Sequence, residues 1–219
     1  ITLAGDFTTS GGLIGKSAIT TTGDNDYEGF WVHESNLSPG NSLSTSGLNG
    51  YGTWAITDGF TVECWVKFDD FTFGSDSGPI IGHVRGGGTG DYYGGGIQVD
   101  NNNLIMGISA INDTSWRYTS ASSPGCTFNA ADNMTAGKWH HLAFTTSHRG
   151  KDLATTTTGK LYLDGKLMAQ HTATVTGMYG YQFAVGGSAG VSGDWVNKRT
   201  DATYGRASVW KTALFESQI

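Results

Sequence analysis

An acidic segment, Asp24-Asn-Asp-Tyr-Glu-Gly29, places carboxylates at alternate positions beside a glycine. Calcium takes about six to eight oxygen ligands, and acidic loops supply them with carboxylates and carbonyls. The spacing is similar to the start of an EF-hand loop, but the distal bidentate glutamate and the flanking helices are missing. We therefore treat Asp24, Asp26 and Glu28 as candidate calcium ligands, with a solvated acidic loop as the alternative.

Two further segments carry nucleophile or ligand residue types. Gly186-Gly-Ser-Ala-Gly190 matches the G-x-S-x-G nucleophile elbow, which works only between a strand and a helix. No helical pattern follows it, so we interpret it as a glycine-rich loop. His140 and His141 are adjacent on a predicted strand, face opposite ways and cannot hold one metal together. We expect one of them to be a packed, hydrogen-bonded histidine.

Six aromatic residues lie in polar or glycine-rich contexts and not on clear core faces. Sugars stack their apolar faces on exposed rings while their hydroxyl groups hydrogen-bond to polar neighbours. Core packing is the alternative for each ring alone, and a protein interface is the alternative for the set. The candidate ligand-binding residues are Trp65, Tyr92, Tyr93, Trp116, Tyr118 and Trp195.

The elements that must position these residues are short strands. Phe60, Val62, Cys64, Val66 and Phe68 alternate with more polar residues, which predicts a strand with the first set facing the core and Trp65 on the opposite face. The dipeptide Asp164-Gly165 favours a type I′ hairpin turn. Further strands are predicted at Pro79–Val84, Gly96–Val99, Leu104–Ser109, Trp139–Thr146, Lys160–Asp164, Lys166–Gln170, Phe183–Gly186 and Ala207–Trp210.

Only Leu214–Gln218 has a helical pattern, and it is one turn long. Many short strands with glycine-rich turns predict an all-β protein with two antiparallel sheets in a jelly-roll sandwich. No repeat or proline-rich linker divides the chain, so we expect one domain over residues 1–219. Residues 1–57 form its irregular leading segment and first strands.

Four segments resemble, in their order, the laminin-G-like and concanavalin A-like jelly rolls, over about residues 10–219. Gly137-Lys-Trp-His-His-Leu-Ala-Phe144 with Gly159-Lys-Leu-Tyr-Leu-Asp-Gly-Lys166 is the most specific pair. The other two are Gly59-Phe-Thr-Val-Glu-Cys-Trp-Val-Lys-Phe68 and Ala207-Ser-Val-Trp-Lys-Thr-Ala-Leu214. The resemblance implies a lectin-like sandwich in which Trp139, Tyr162 and Asp164 are scaffold residues.

Comparison with the family's motifs also argues against two kinds of site in this chain, a calcium site before the final strand and a glucanase active site. Some members of the family hold calcium with an acidic pair before the final strand, where this chain has Gly205 and Arg206. The retaining β-glucanases that resemble the family use an E-x-D-x-x-E strand. None of Glu28, Glu34, Glu63 and Glu216 has an aspartate two positions later, so we expect no enzymatic activity of this type.

The composition of the chain argues against two classes of partner, nucleic acid and membranes. The net charge is −6 and only 15% of the residues are charged, so there is no basic surface for nucleic acid. No apolar run approaches the roughly 20 residues of a membrane span, so we expect no membrane insertion. Cys64 and Cys126 allow one disulfide, but Cys64 faces the predicted core and Cys126 lies in a predicted loop. We expect no bridge between them.

Two functions from different classes remain. The first is a non-catalytic module, displayed outside a cell or on a virion surface, that recognises glycans or mediates attachment. The second is a structural or accessory subunit of a viral particle, such as a capsid decoration or tail-fibre protein, which acts through contacts with neighbouring subunits. A divergent glycoside hydrolase ranks third. Calcium is the only cofactor that the sequence suggests. A homo-oligomer is compatible with either of the two leading functions.

Overall fold

The fold is seen in a computed structural model of the chain. It describes residues 2–4, 7–8, 19–21, 29–33, 59–73, 79–87, 91–99, 103–111, 126–147, 154–176, 182–186, 202–210 and 212–219. None of the helices in these ranges is long and apolar enough to span a membrane.

The described strands form two antiparallel sheets, each with seven strands. The order in sheet I is β1 (Thr2–Ala4), β4 (Gly29–His33), β13 (Gln182–Val185), β6 (Pro79–Gly87), β7 (Asp91–Val99), β8 (Leu104–Ile111) and β9 (Cys126–Asn129). The order in sheet II is β12 (Lys166–Thr176), β11 (Ala154–Leu163), β10 (His140–Thr146), β5 (Phe60–Lys67), β14 (Thr203–Trp210), β3 (Ile19–Thr21) and β2 (Phe7–Thr8). This is the predicted jelly-roll sandwich.

A single apolar core lies between the two sheets. Sheet II contributes Val62, Val66 and Phe144, while sheet I contributes Ile81 and Ile97, and all five are fully buried. Strand β5 shows the predicted alternation, because its core-facing side chains are buried while those of Glu63, Trp65 and Lys67 are half-buried. The sequence prediction for the two faces of β5 is confirmed.

The predicted hairpin between β11 and β12 is also confirmed. Asp164 and Gly165 have φ angles of 50° and 79°, and a type I′ turn requires positive φ at both central residues. Asp164 tolerates this conformation because it anchors the turn with its side chain. Its Oδ2 lies 2.8 Å from Nδ1 of His140, and its Oδ1 accepts a hydrogen bond from the backbone N–H of His141.

Several strands are longer than predicted, since β7 begins at Asp91, β11 at Ala154 and β14 at Thr203. Two other sequence predictions differ from the structure in kind. Cys126 was expected in a loop, but it begins β9, where its Sγ donates to the carbonyl oxygen of Ala169 in β12 at 3.3 Å. This contact joins the edge strands of the two sheets. The helical turn predicted at Leu214–Gln218 is a shorter 3₁₀ turn, Glu216–Gln218. A single turn has too few hydrogen bonds to define a longer helix without packing.

Candidate functional site

The outer face of sheet II, opposite the core, gathers polar and aromatic side chains from three neighbouring strands. Glu63 and Trp65 project from β5 because the residues between them face the core. The strand register places His141 of β10 beside Trp65, and Ser208 of β14 beside Glu63. Residues far apart in the sequence therefore meet on one surface.

Strand β14 carries an irregularity at this surface. Its pairing with β5 shifts between Tyr204 and Ala207, so Gly205 and Arg206 form a bulge. A Cβ atom at Gly205 would lie 3.3 Å from both the Trp139 ring and the Cβ of Trp65. Glycine therefore allows the two tryptophans to approach the strand closely.

The three strands and the end of the described chain enclose a cleft of about 190 Å³. It combines one indole ring with groups that donate and accept hydrogen bonds. Its lining residues include one with a carboxylate side chain and one with a guanidinium side chain, and they are Glu63, Trp65, His141, Arg206, Ser208 and Ile219.

The carboxylate of Glu63 is fixed by two neighbours. Its Oε1 accepts a hydrogen bond from Nε1 of Trp210 at 3.1 Å. Its Oε2 lies 3.4 Å from Nε2 of His141. The imidazole of His141 also lies against the Trp65 ring, with 5.3 Å between ring centroids and 39° between the planes. Three of the side chains that line the cleft, those of Glu63, His141 and Trp65, thus contact one another in that order.

The two adjacent histidines have different roles, as the alternation on a strand predicts. His140 faces away from the cleft, and its Nε2 accepts a hydrogen bond from the backbone N–H of Thr135 at 3.0 Å. Its Nδ1 then carries the proton and donates to Asp164. His140 is the packed, hydrogen-bonded histidine that the sequence predicts, while His141 belongs to the cleft.

The segment 212–219 lies against the same face of sheet II. The hydroxyl of Thr61 donates to the carbonyl oxygen of Thr212 at 2.8 Å and accepts from the backbone N–H of Leu214 at 2.9 Å. Thr61 is fully buried for this reason, although it lies on the outer face of β5. Burial, and secondarily the charge of Glu216, raise the pKa of Tyr162 on β11.

The structure brings one of the predicted ligand-binding residues, Trp65, into this cleft. Tyr92 and Tyr93 lie on β7 of sheet I, and the structure describes their backbone only. The other predicted site residues lie outside the described ranges: Trp116, Tyr118 and Trp195, and the candidate calcium ligands Asp24, Asp26 and Glu28.

Sequence reasoning missed most of the cleft. The alternation of Glu63 with Trp65, and of Arg206 with Ser208, shows that each pair shares a face of its strand. It does not show that β5 pairs with β14. Trp139, expected as scaffold, is half-buried and borders Gly205 on the outer face. Within the described ranges, no group of three or more histidine, cysteine or acidic side chains could hold a metal ion.

Several solved structures share this fold. A Trypanosoma rangeli sialidase in complex with sialic acid matches with a TM-score of 0.58 and 16% identity, over 92% of this chain and 26% of that one. The botulinum neurotoxin serotype D binding domain matches with a TM-score of 0.53 and 15% identity, over 93% of this chain and 41% of that one. The chain thus spans between a quarter and about two fifths of these structures.

Sequence comparison gives the family. No curated protein matches the chain. The family model Laminin_G_3, described as the concanavalin A-like lectin/glucanases superfamily, matches residues 39–219. This is most of the chain, and it includes every residue that lines the cleft. The chain therefore belongs to the laminin G-like family of the concanavalin A-like lectin/glucanases superfamily.

Proposed function

We propose that this protein is a non-catalytic binding module that recognises glycans or mediates attachment outside a cell or on a virion surface. The observation that carries the proposal is the cleft on sheet II, where the Trp65 ring stands beside Glu63, His141, Arg206 and Ser208. An indole ring gives apolar contact to a sugar face, and the polar groups orient its hydroxyls.

The chemistry of the cleft supports binding without catalysis. Most glycoside hydrolases use a pair of carboxyl groups that flank the scissile bond, and among the side chains of the cleft Glu63 supplies one. A serine nucleophile needs a base within hydrogen-bonding reach. In the described part of the chain, no hydrogen bond joins Ser208 to His141, and β5 separates their strands.

Proteins of similar fold give a precedent for recognition. One matched structure is a sialidase in complex with sialic acid, and another is a neurotoxin binding domain. Their identities to this chain are 16% and 15%, so they support only the view that this sandwich occurs in a sialidase that binds sialic acid and in a toxin binding domain.

A glycan array, run with and without calcium, tests the proposal. We expect wild-type protein to bind at least one glycan class, and Trp65→Ala to lose that binding. Phe215→Ala is the matched control, because Phe215 is an exposed aromatic outside the cleft. Ser208→Ala is a milder second variant in case Trp65→Ala unfolds. Retained binding in both cleft variants would contradict the assignment of the site.

The calcium arm tests the acidic segment. If Asp24, Asp26 and Glu28 hold calcium and calcium supports recognition, chelation will reduce glycan binding, and Asp26→Asn will reproduce the loss. Equal binding with and without calcium would remove this cofactor from the proposal.

One observation favours the second candidate function, a particle subunit that acts through protein contacts. Trp210 and Phe215 are large apolar side chains exposed by 40% and 76%, and exposed aromatic residues are enriched at protein interfaces. Light scattering after size-exclusion chromatography distinguishes the two. A stable oligomer that Phe215→Ser dissociates, together with no glycan binding, would favour the subunit.

A further inference from the structure

Arg206 is the permanent cation among the residues that line the cleft. Its side chain is exposed, and within the described ranges it forms no ion pair. The carboxylate of the same cleft does not neutralise it, because Glu63 is engaged by Trp210 and His141 instead. Among the described residues, therefore, none pairs with the positive charge of Arg206, and a ligand in the cleft can do so.

The backbone positions this charge. The bulge at Gly205 and Arg206 interrupts the pairing of β14 with β5, and bulges redirect the side chains of the residues they contain. Gly205 leaves room for the Trp65 and Trp139 side chains beside the bulge. Arg206 and Trp65 thus line the same small cleft.

We infer that the cleft is selective for a pyranose that carries a carboxylate, of which a hexuronic acid is the simplest example. The planar guanidinium group matches a carboxylate with two parallel hydrogen bonds. The sugar ring lies on Trp65, and its hydroxyls reach Ser208 and Glu63. An ionised carboxylate has about four lone-pair sites, and the contacts to Trp210 and His141 occupy two of those of Glu63.

Size and charge both favour one acidic ring over a polyanion. The cleft volume of about 190 Å³ is below the roughly 300–1,000 Å³ of sites for larger ligands. The chain carries a net charge of −6, and Glu63 lies in the cleft. A ligand with one negative charge can pair with Arg206, whereas additional charges meet repulsion.

This inference rests on the proposed function, because it names the class of ligand that the same cleft would bind. Two probes distinguish the acidic selectivity from the proposed function. They are methyl β-D-glucuronide and methyl β-D-glucoside, which differ only at C6, where the first has a carboxylate and the second a hydroxymethyl group. Binding is measured by titration calorimetry or by ligand-observed NMR at low ionic strength. We expect the glucuronide to bind about tenfold more tightly, the scale of one charge-assisted pair.

The decisive variant is Arg206→Gln, which removes the charge and keeps much of the side-chain length. It should abolish the preference, so that this variant binds the glucuronide no more tightly than the glucoside. Lys166→Gln is the matched control, because it makes the same change in net charge at an exposed residue that does not line the cleft. It should keep the preference for the glucuronide.

The outcomes distinguish the two claims. Equal, Trp65-dependent binding of both probes would overturn the acidic selectivity and keep the proposed function. A preference for the glucuronide that persists in Arg206→Gln would overturn the role of Arg206. If glucose 6-phosphate, a dianion, binds more tightly than the glucuronide, the argument that the cleft prefers a single negative charge is contradicted. Absence of binding by every saccharide on the array and by both probes would overturn the proposed function and the selectivity together.

Discussion

At the scale of single residues, Cys64 and Cys126 behave as small apolar side chains. Cys64 lies in the centre of β5 and faces the core, while Cys126 lies at the start of β9 in the other sheet. Both thiols are buried and free. Burial raises the pKa of Cys64 far above its ordinary value, with a smaller contribution from Glu63, and burial raises the pKa of Cys126 to about 12.

This environment predicts unreactive thiols in the folded protein, because the thiolate is the reactive form. Alkylation at pH 8 should modify neither cysteine in native protein and both cysteines after unfolding in denaturant without a reductant. Mass spectrometry of the intact chain gives the count directly. A mass that corresponds to a quantitative Cys64–Cys126 bridge would contradict the prediction.

The same raised pKa values predict alkaline destabilisation. Above about pH 9 the unfolded chain releases the thiol protons while the folded chain keeps them, so the free energy of unfolding falls as pH rises. The contribution of Cys126 to the free energy of unfolding is fully present below about pH 9, and it is lost progressively as pH rises towards the folded pKa of about 12. Melting temperatures between pH 8 and 11 should fall less steeply for Cys126→Ala than for wild type. Parallel curves would contradict this linkage.

At the scale of elements, β5 has one face in the core and one in the cleft. Val66 is fully buried and Lys67 half-buried. Val66→Asp should therefore bury an unpaired carboxylate and remove several kcal/mol of the roughly 5–15 kcal/mol that stabilise a domain. Lys67→Asp, on the other face, should lower the melting temperature only slightly. Equal losses in thermal melts of the two variants would mean that the faces are assigned wrongly.

How far the sequence predicts each element depends on whether its signal is local. The faces of β5 and the turn at Asp164-Gly165 follow from alternation and from one dipeptide, so both could be predicted. The cleft could not, because it requires β14 to pair with β5 across most of the chain. The hydrogen bonds of Thr61 to Thr212 and Leu214 also join distant segments. No local pattern reveals such contacts.

At the scale of the whole molecule, the two sheets pack closely at Gly107 of sheet I, where the absence of a side chain leaves room for a ring from sheet II. A Cβ atom at Gly107 of β8 would overlap the ring of Phe144, which projects from β10 across the core. Gly107→Ala should therefore destabilise the sandwich by about 1–3 kcal/mol through overpacking.

A double-mutant cycle tests this cause. Phe144→Leu alone should destabilise the protein by leaving a cavity. The double variant should lose less stability than the sum of the two single variants, because the methyl group that Gly107→Ala adds occupies space that the Phe144 ring has left. Chemical denaturation of the four proteins measures the coupling. Strictly additive losses would contradict the steric explanation.

The strand order has a consequence for how the chain acquires its structure during synthesis. Strand β14 is near the C-terminal end of this sequence, yet it lies between β5 and β3 in sheet II. Strand β13 likewise lies between β4 and β6 in sheet I. A ribosome must therefore release nearly all of these residues before either sheet can close, and until then the edges of β5 and β6 are open to pairing with other chains. We expect slow, largely post-translational folding with a high contact order.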